Sequence, residues 1–211
     1  MGMMINRRRA YGGGEKLPQG AVKIEYLEST GTQYIITSIS LSTDMIISCT
    51  YAFVDTLKEW RRLFGWSQTG WANAYSFCYN TNTRVCPRLV TGPDTEVYLP
   101  NYTSGKYEIS VNTNGFVHVK GLDNAYNQSA NLNPWQYSSA PHPIYLYNFG
   151  GTNIIDGAKC KVYGFQIKSN NKVLLNFIPV RVGNVGYMYD RVSGQLFGNS
   201  GTGSFILGAD V

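Results

Sequence analysis

The sequence predicts an all-β chain: a two-sheet antiparallel sandwich behind an extended N-terminal arm. Three observations predict it. Apolar and polar residues alternate in short runs such as "VKIEYLEST" and "KYEISVN", the two-residue period of half-buried strands. Twenty-three glycines, with many Asn, Ser and Thr, punctuate those runs as turn residues do. The last part, Asn176 to Gly208, packs strand formers such as Phe177, Ile178 and Val180 between seven glycines from Gly183 to Gly208. A chain that ends this way folds its last strands back onto strands already laid down. Its 211 residues, 43% of them apolar, suit one domain with a sizeable core.

Residues 1–20 read as a basic arm and linker. "RRRAYGGGEKLPQG" holds three successive glycines, a proline and no periodic apolar face, so it should form no packed element alone. The domain then runs over 21–211. Val22, Ile24 and Tyr26 alternate with Lys23 and Glu25 in a first strand, which Gly31 breaks. "TQYIITSISL" is the second strand, and the more apolar "DMIISCTYAFVD" a central one. "LKEWRRLFGWSQTGWANAYSFCYN" opens in a helix-compatible way, but Phe64-Gly65-Trp66 and the later aromatics fit strands. Pro87 in "RVCPRLVTG" has no amide hydrogen to donate, which puts that run on a sheet edge or at a bulge.

"KYEISVNTNGFVHVKG" is the clearest hairpin. Tyr107, Ile109 and Val111 alternate before Asn114-Gly115, with Phe116, Val117 and Val119 after it. Asn-Gly fits a type I′ turn, whose two central residues both need positive φ. "LDNAYNQSANLNPWQYSSAPHP" reads as a polar loop with Trp135 inside it. "IYLYNFGG" is a strand, and "AKCKVYGFQIKSNNKVLLNFIPVR" a second hairpin turning at Ser169-Asn170-Asn171. About a dozen strands joined by loops imply two stacked antiparallel sheets.

Charged residues are only 15% of the chain, against roughly 25% in an average domain. Tyrosine is abundant, at 16 copies. That composition suits surface contact. The formal net charge is +5, and Arg7, Arg8 and Arg9 supply much of it. No basic stripe with interleaved aromatics follows them, so nucleic acid is not an expected partner. Cys49, Cys78, Cys86 and Cys160 form no CxxC pair and, with His118 and His142, no metal-ligand spacing. They read as ordinary buried thiols, although Cys78 and Cys86 could be bridged if they face each other across a hairpin. "MGMMINRRRAYGGG" has no apolar stretch behind its basic residues, and no apolar run is long enough to span a bilayer. Synthesis and folding in a cytoplasm, and no membrane partner, are the expectation.

"EYLESTGTQYIITSI" and "LLNFIPVR…GYMYDRVSGQLFGNSGTGSFILG" together resemble concanavalin A-like jelly-roll modules of the laminin-G and pentraxin type, common in gut bacteria and their phages. The resemblance covers roughly Val22 to Gly208. It implies that the first and last strands lie side by side. The leader "MINRRRAYGGG" is similar to the start of structural proteins in tailed, crAss-like phages of gut Bacteroidales. It implies a virion protein assembled in a host cytoplasm: a head or tail fibre, or a capsid decoration, in contact with capsid, portal or tail proteins as a homo-oligomer. A bacterial carbohydrate-binding or adhesion module is the alternative.

Four kinds of chemistry have candidate residues in the chain. Glycosidase action needs two carboxylates about 5 to 9 Å apart. Glu25 and Glu28, three residues apart on a strand, should point to opposite faces, and the remaining acids are scattered, so no catalytic residue is assigned and the chain is read as no enzyme. Calcium, which such modules often hold, has Asp123-Asn124, Asn153 with Asp156, and Asp94 as its thin set of ligands. Turn formation explains them as well, and no cofactor is assigned. For glycans on cell surfaces or mucus, Trp71, Tyr75 and Trp135 are stacking candidates. Trp71 and Trp135 sit in polar loop contexts and should be exposed, whereas Trp66 should be core. The other reading makes all of them core or subunit-interface aromatics. Last, Arg7, Arg8, Arg9 and Tyr11 would anchor the arm to an acidic patch of a virion partner through guanidinium contacts.

Overall fold

The computed structural model describes residues 17–54, 61–69, 72–79, 85–88, 105–135, 139–148 and 157–211. Those residues form strands and no helix. The larger sheet holds β4 (Met45–Phe53) centrally, between β8 (Tyr107–Asn112) and β12 (Lys159–Ser169). Beyond β8 lie β9 (Phe116–Gly121) and β10 (Asn127–Asn131). Beyond β12 lie β13 (Lys172–Val182), β14 (Val185–Asp190) and β15 (Leu196–Phe197). The smaller sheet runs β3 (Ile35–Ser42), β11 (Ser139–Leu146), β5 (Arg61–Thr69), β6 (Ala72–Tyr79) and β7 (Val85–Arg88). The pairings are antiparallel throughout both sheets.

Period-two alternation decides what enters the core. On β4, Met45, Ile47, Cys49 and Tyr51 are buried while Ile46, Ser48 and Thr50 face outward. Across the interior, Phe165 meets Phe64 at 5.6 Å between ring centroids and Tyr51 meets Phe77 at 5.8 Å. These contacts join the two sheets through aromatic pairs that add to simple area burial. β7, which carries Pro87, is an edge strand of the small sheet, as the missing amide donor requires. Cys78 and Cys86 are register partners between β6 and β7, which meets the backbone condition the sequence left open.

The termini close the large sheet. β1 (Ala21–Lys23) pairs with β13, and β2 (Leu27–Thr30) with both β12 and β16 (Ile206–Leu207). Ile24 bridges Asp210, and the Arg181 guanidinium donates to both Asp210 carboxylate oxygens at 2.7 and 2.6 Å. The first and last strands therefore lie side by side. Gly186 lies under this closure, where a Cβ would push against the methyl ends of Leu27 and Leu207. The N-terminal side of β1 lies on the outer face of β13 and β14, where Leu17 packs with Ile178, Val180 and Tyr189.

Four elements differ from expectation. "VKIEYLEST" is two strands, because the buried pair Ile24 and Leu27 is three apart and a single flat strand cannot turn both inward. The hairpin at Asn114-Gly115 turns through three residues, Thr113 to Gly115, with positive φ only at Gly115; this is the turn-plus-left-handed-residue form. The type I′ pattern falls instead at Asn170-Asn171, with φ of 48° and 63° between the partners Ser169 and Lys172. Finally, part of the expected polar loop is β10, an edge strand whose alternating small polar residues pair with β9.

Candidate functional site

The outward residues of the large sheet form cross-strand rows, because directly paired residues share a face. One row reads Asn131, Phe116, Asn112, Ile46, Lys168. The next reads Ser129, His118, Ser110, Ser48, Gln166, Asn176. A third reads Asn127, Lys120, Glu108, Thr50, Gly164. Apart from Phe116 and Ile46, the face is thus a field of amides, hydroxyls and single charges. Two interactions tie it together: His118 Nε2 lies 2.7 Å from Asn127 Oδ1, and the Ser48 and Ser110 hydroxyls are 3.5 Å apart.

Two depressions mark this face. One, of about 190 Å³, lies where three turns converge at the end of the sandwich, lined by Asp44, Asn112, Asn114, Lys168, Asn170 and Asn171 over Ile46. The side chains are partly pre-set: Asn114 Nδ2 donates to Asp44 Oδ1 at 3.0 Å, and Asn112 Oδ1 accepts from the Asn114 amide at 2.8 Å. Asp44, Asn170 and Asn171 all have positive φ, which Asn and Asp tolerate and β-branched residues do not. Phe116, the register partner of the lining residue Asn112, is 46% exposed.

The second depression, of about 250 Å³, lies mid-sheet and is lined by Ser48, Thr50, Glu108, Gly164, Gln166 and Asn176. It lies beside a β-bulge between Val162 and Gly164. The bulge turns two consecutive residues outward, and the second has no side chain. The first, Tyr163, is already engaged: Lys106 Nζ sits 3.8 Å from its ring centre and Tyr26 stands against it at 5.6 Å. Burial raises the Tyr163 phenol above its ordinary pKa, with Lys161 opposing the shift.

The sequence-predicted stacking residues fare differently. Trp135 is 4% exposed and stands edge-on to Trp66, itself 2% exposed. This corrects the expectation of an exposed Trp135: its loop is polar, but the indole turns into the core. Trp71 lies outside the described residues. Tyr75 is placed only by its backbone, opposite Trp66 between β6 and β5. Arg7, Arg8, Arg9 and Tyr11 lie outside the described residues, as do Asp94, Asn153 and Asp156. Asp123 accepts from the Lys106 amide at 3.1 and 3.0 Å, and Asn124 from the Tyr126 amide at 2.9 Å. Turn geometry therefore occupies both, and no group of three potential metal ligands exists among the described residues. Phe116 was missed as a candidate, although an apolar residue in the wet phase of "FVHVK" is a signal the sequence carried.

No family model and no curated protein matches this sequence. Among solved structures, the chain resembles a protein from Bacteroides ovatus ATCC 8483 inferred to bind carbohydrate. The TM-score is 0.56 at 10% identity, covering 89% of this chain and 60% of that one. The chain thus spans about 60% of that protein's length. Looser likenesses are to a heptameric SAP-like pentraxin from Limulus polyphemus (TM-score 0.46, 9% identity, 73% and 76% coverage) and to scytalido-glutamic peptidase (0.39, 12%, 90% and 100%). These two are too distant to argue from. With the strand pairing above, the first likeness makes the fold an all-β, two-sheet jelly-roll sandwich.

Proposed function

We propose that this chain is a non-catalytic carbohydrate-binding sandwich that presents the outer face of its large sheet to glycans. The observation that carries the reading is Phe116, an open aromatic ring beside a depression lined with Asn amides, a carboxylate and an ammonium. An aromatic face covers the apolar side of a pyranose, while amides and carboxylates pair with its hydroxyls. The Bacteroides ovatus structure, with the same fold and an inferred carbohydrate role, supports the same reading. So does the spacing of carboxylates: on the site face Asp44 and Glu108 belong to different depressions, so neither depression pairs two acids in the manner of a glycosidase.

The resemblance of the leader "MINRRRAYGGG" supports a finer reading, a fibre or decoration protein of a phage particle. There the arm, through Arg7, Arg8, Arg9 and Tyr11, docks on an acidic virion protein, and a symmetric oligomer multiplies weak glycan contacts. A bacterial adhesion module would use the same sugar face without that anchor.

A glycan array probed with the full chain and with Phe116→Ala tests the binding role. Signal from the wild type that falls at least about tenfold in the variant is expected; a blank wild-type array refutes the role. Deleting Met1 to Gly14 tests the arm. The truncated chain should stay folded yet fail to join particles, and normal incorporation would refute the anchor.

A further inference from the structure

The two depressions lie on one strand axis. The end depression is floored by Ile46 and the mid-sheet one lined by Thr50, both outward residues of β4. From Ile46 to Thr50 the two together span four residues of antiparallel strand, about 14 Å. The row Ser110, Ser48, Gln166 forms the near side of the mid-sheet depression, next to the row that carries Ile46, so the two are contiguous along a polar edge. Each depression offers hydroxyl-pairing groups, yet neither is closed, and a single hexose cannot fill the span of both.

We infer that the ligand is an extended oligosaccharide, lying along β4 and β12 with one end on Phe116 and the turn-borne asparagines and the other in the hollow over Gly164. This rests on the carbohydrate-binding reading above and adds its ligand class: a chain of several neutral sugars bound along its length, not a terminal monosaccharide. Neutral sugars fit because each depression pairs acceptors with donors: Asp44 with Lys168 and asparagines at the end, Glu108 with Gln166 and Asn176 at mid-sheet. A chain bound at two shallow sites gains from linkage, since holding one end raises the local concentration of the other.

Gly164 supplies a clean probe. It is not a positive-φ glycine, and a Cβ there would meet only the Phe177 carbonyl at 3.6 Å, an ordinary contact. Gly164→Leu should therefore fill the hollow without breaking the strand, which an unchanged thermal melt would confirm. The experiment is calorimetric titration of the full chain with neutral linear gluco-, manno-, galacto- and xylo-oligosaccharides, each from monosaccharide to hexasaccharide. Expected is affinity for at least one series that climbs at least about tenfold with length. Gly164→Leu and Phe116→Ala should each abolish that climb. Length-independent binding, or a climb that survives Gly164→Leu, overturns the extended ligand while leaving carbohydrate binding in place. Failure of every sugar to bind the wild type overturns both.

Discussion

The indole of Trp135 stands edge-on against that of Trp66, with ring centroids 5.9 Å apart and planes at 86°. The Trp135 amide donates to the Thr113 carbonyl at 2.7 Å, and this bond turns the segment after β10 inward. The ring closes the core beneath the turn that carries Asn114. Trp135→Ala should therefore cost stability, about 3 to 5 kcal/mol as for other large core truncations. A chemical denaturation curve reads this directly. A variant as stable as the wild type but deficient in sugar binding would return Trp135 to the surface.

Asp190 sets the pH dependence of the C-terminal edge. It is 1% exposed, and its carboxylate accepts from the amides of Asn176, Val192 and Ser193 and from the Ser193 hydroxyl. Burial alone would raise its pKa; these hydrogen bonds outweigh it and hold the value below the usual range. With a folded pKa below the unfolded one, the stabilisation is fully present above about pH 4. It is lost as pH falls through the lower folded value, because the unfolded chain takes up the proton first. Stability of the wild type should fall below pH 4 more steeply than that of Asp190→Asn, which should be less stable at neutral pH by about 2 kcal/mol. Identical pH profiles for the two proteins would refute this role.

Gly115 controls how the site is presented. Its φ is +99°, and a Cβ would strike the Leu132 carbonyl, whose own amide donates to Gly115 O at 2.9 Å. Gly115→Ala must distort the turn that sets Asn114 and Phe116 beside each other. A stability loss of more than about 1 kcal/mol is expected, with loss of array signal at a temperature where the protein remains folded. Undiminished signal would show that the turn does not organise the site.

Much of the fold was legible in the residues; the site was not, since neither Phe116 nor the turn asparagines around it stood among the stacking candidates. Strand alternation named the inward residues of β8, Tyr107, Ile109 and Val111, correctly, because burial on one face imposes the period. The edge position of Pro87 was readable too, and the resemblance to jelly-roll modules implied the meeting of the two ends. The split at Ile24 and Leu27 was not, since a kink changes phase without changing composition. Nor was the Asn114-Gly115 turn type, because Asn-Gly serves both two- and three-residue loops and the choice lies in the register of β8 on β9. Trp135 misled for a similar reason: a polar neighbourhood in sequence says nothing of a ring that one backbone bond to Thr113 aims inward.

By itself the sequence determined a layered β body, through the two-residue period and glycine turns that local sterics demand. Only the tertiary structure decided which polar residues share a surface. Asp44, Asn114 and Asn170 come from three separate turns, and Phe116 and Lys168 from strands that do not touch. Their meeting depends on strand order and register, which are set by the packing of the whole core and not by any one segment.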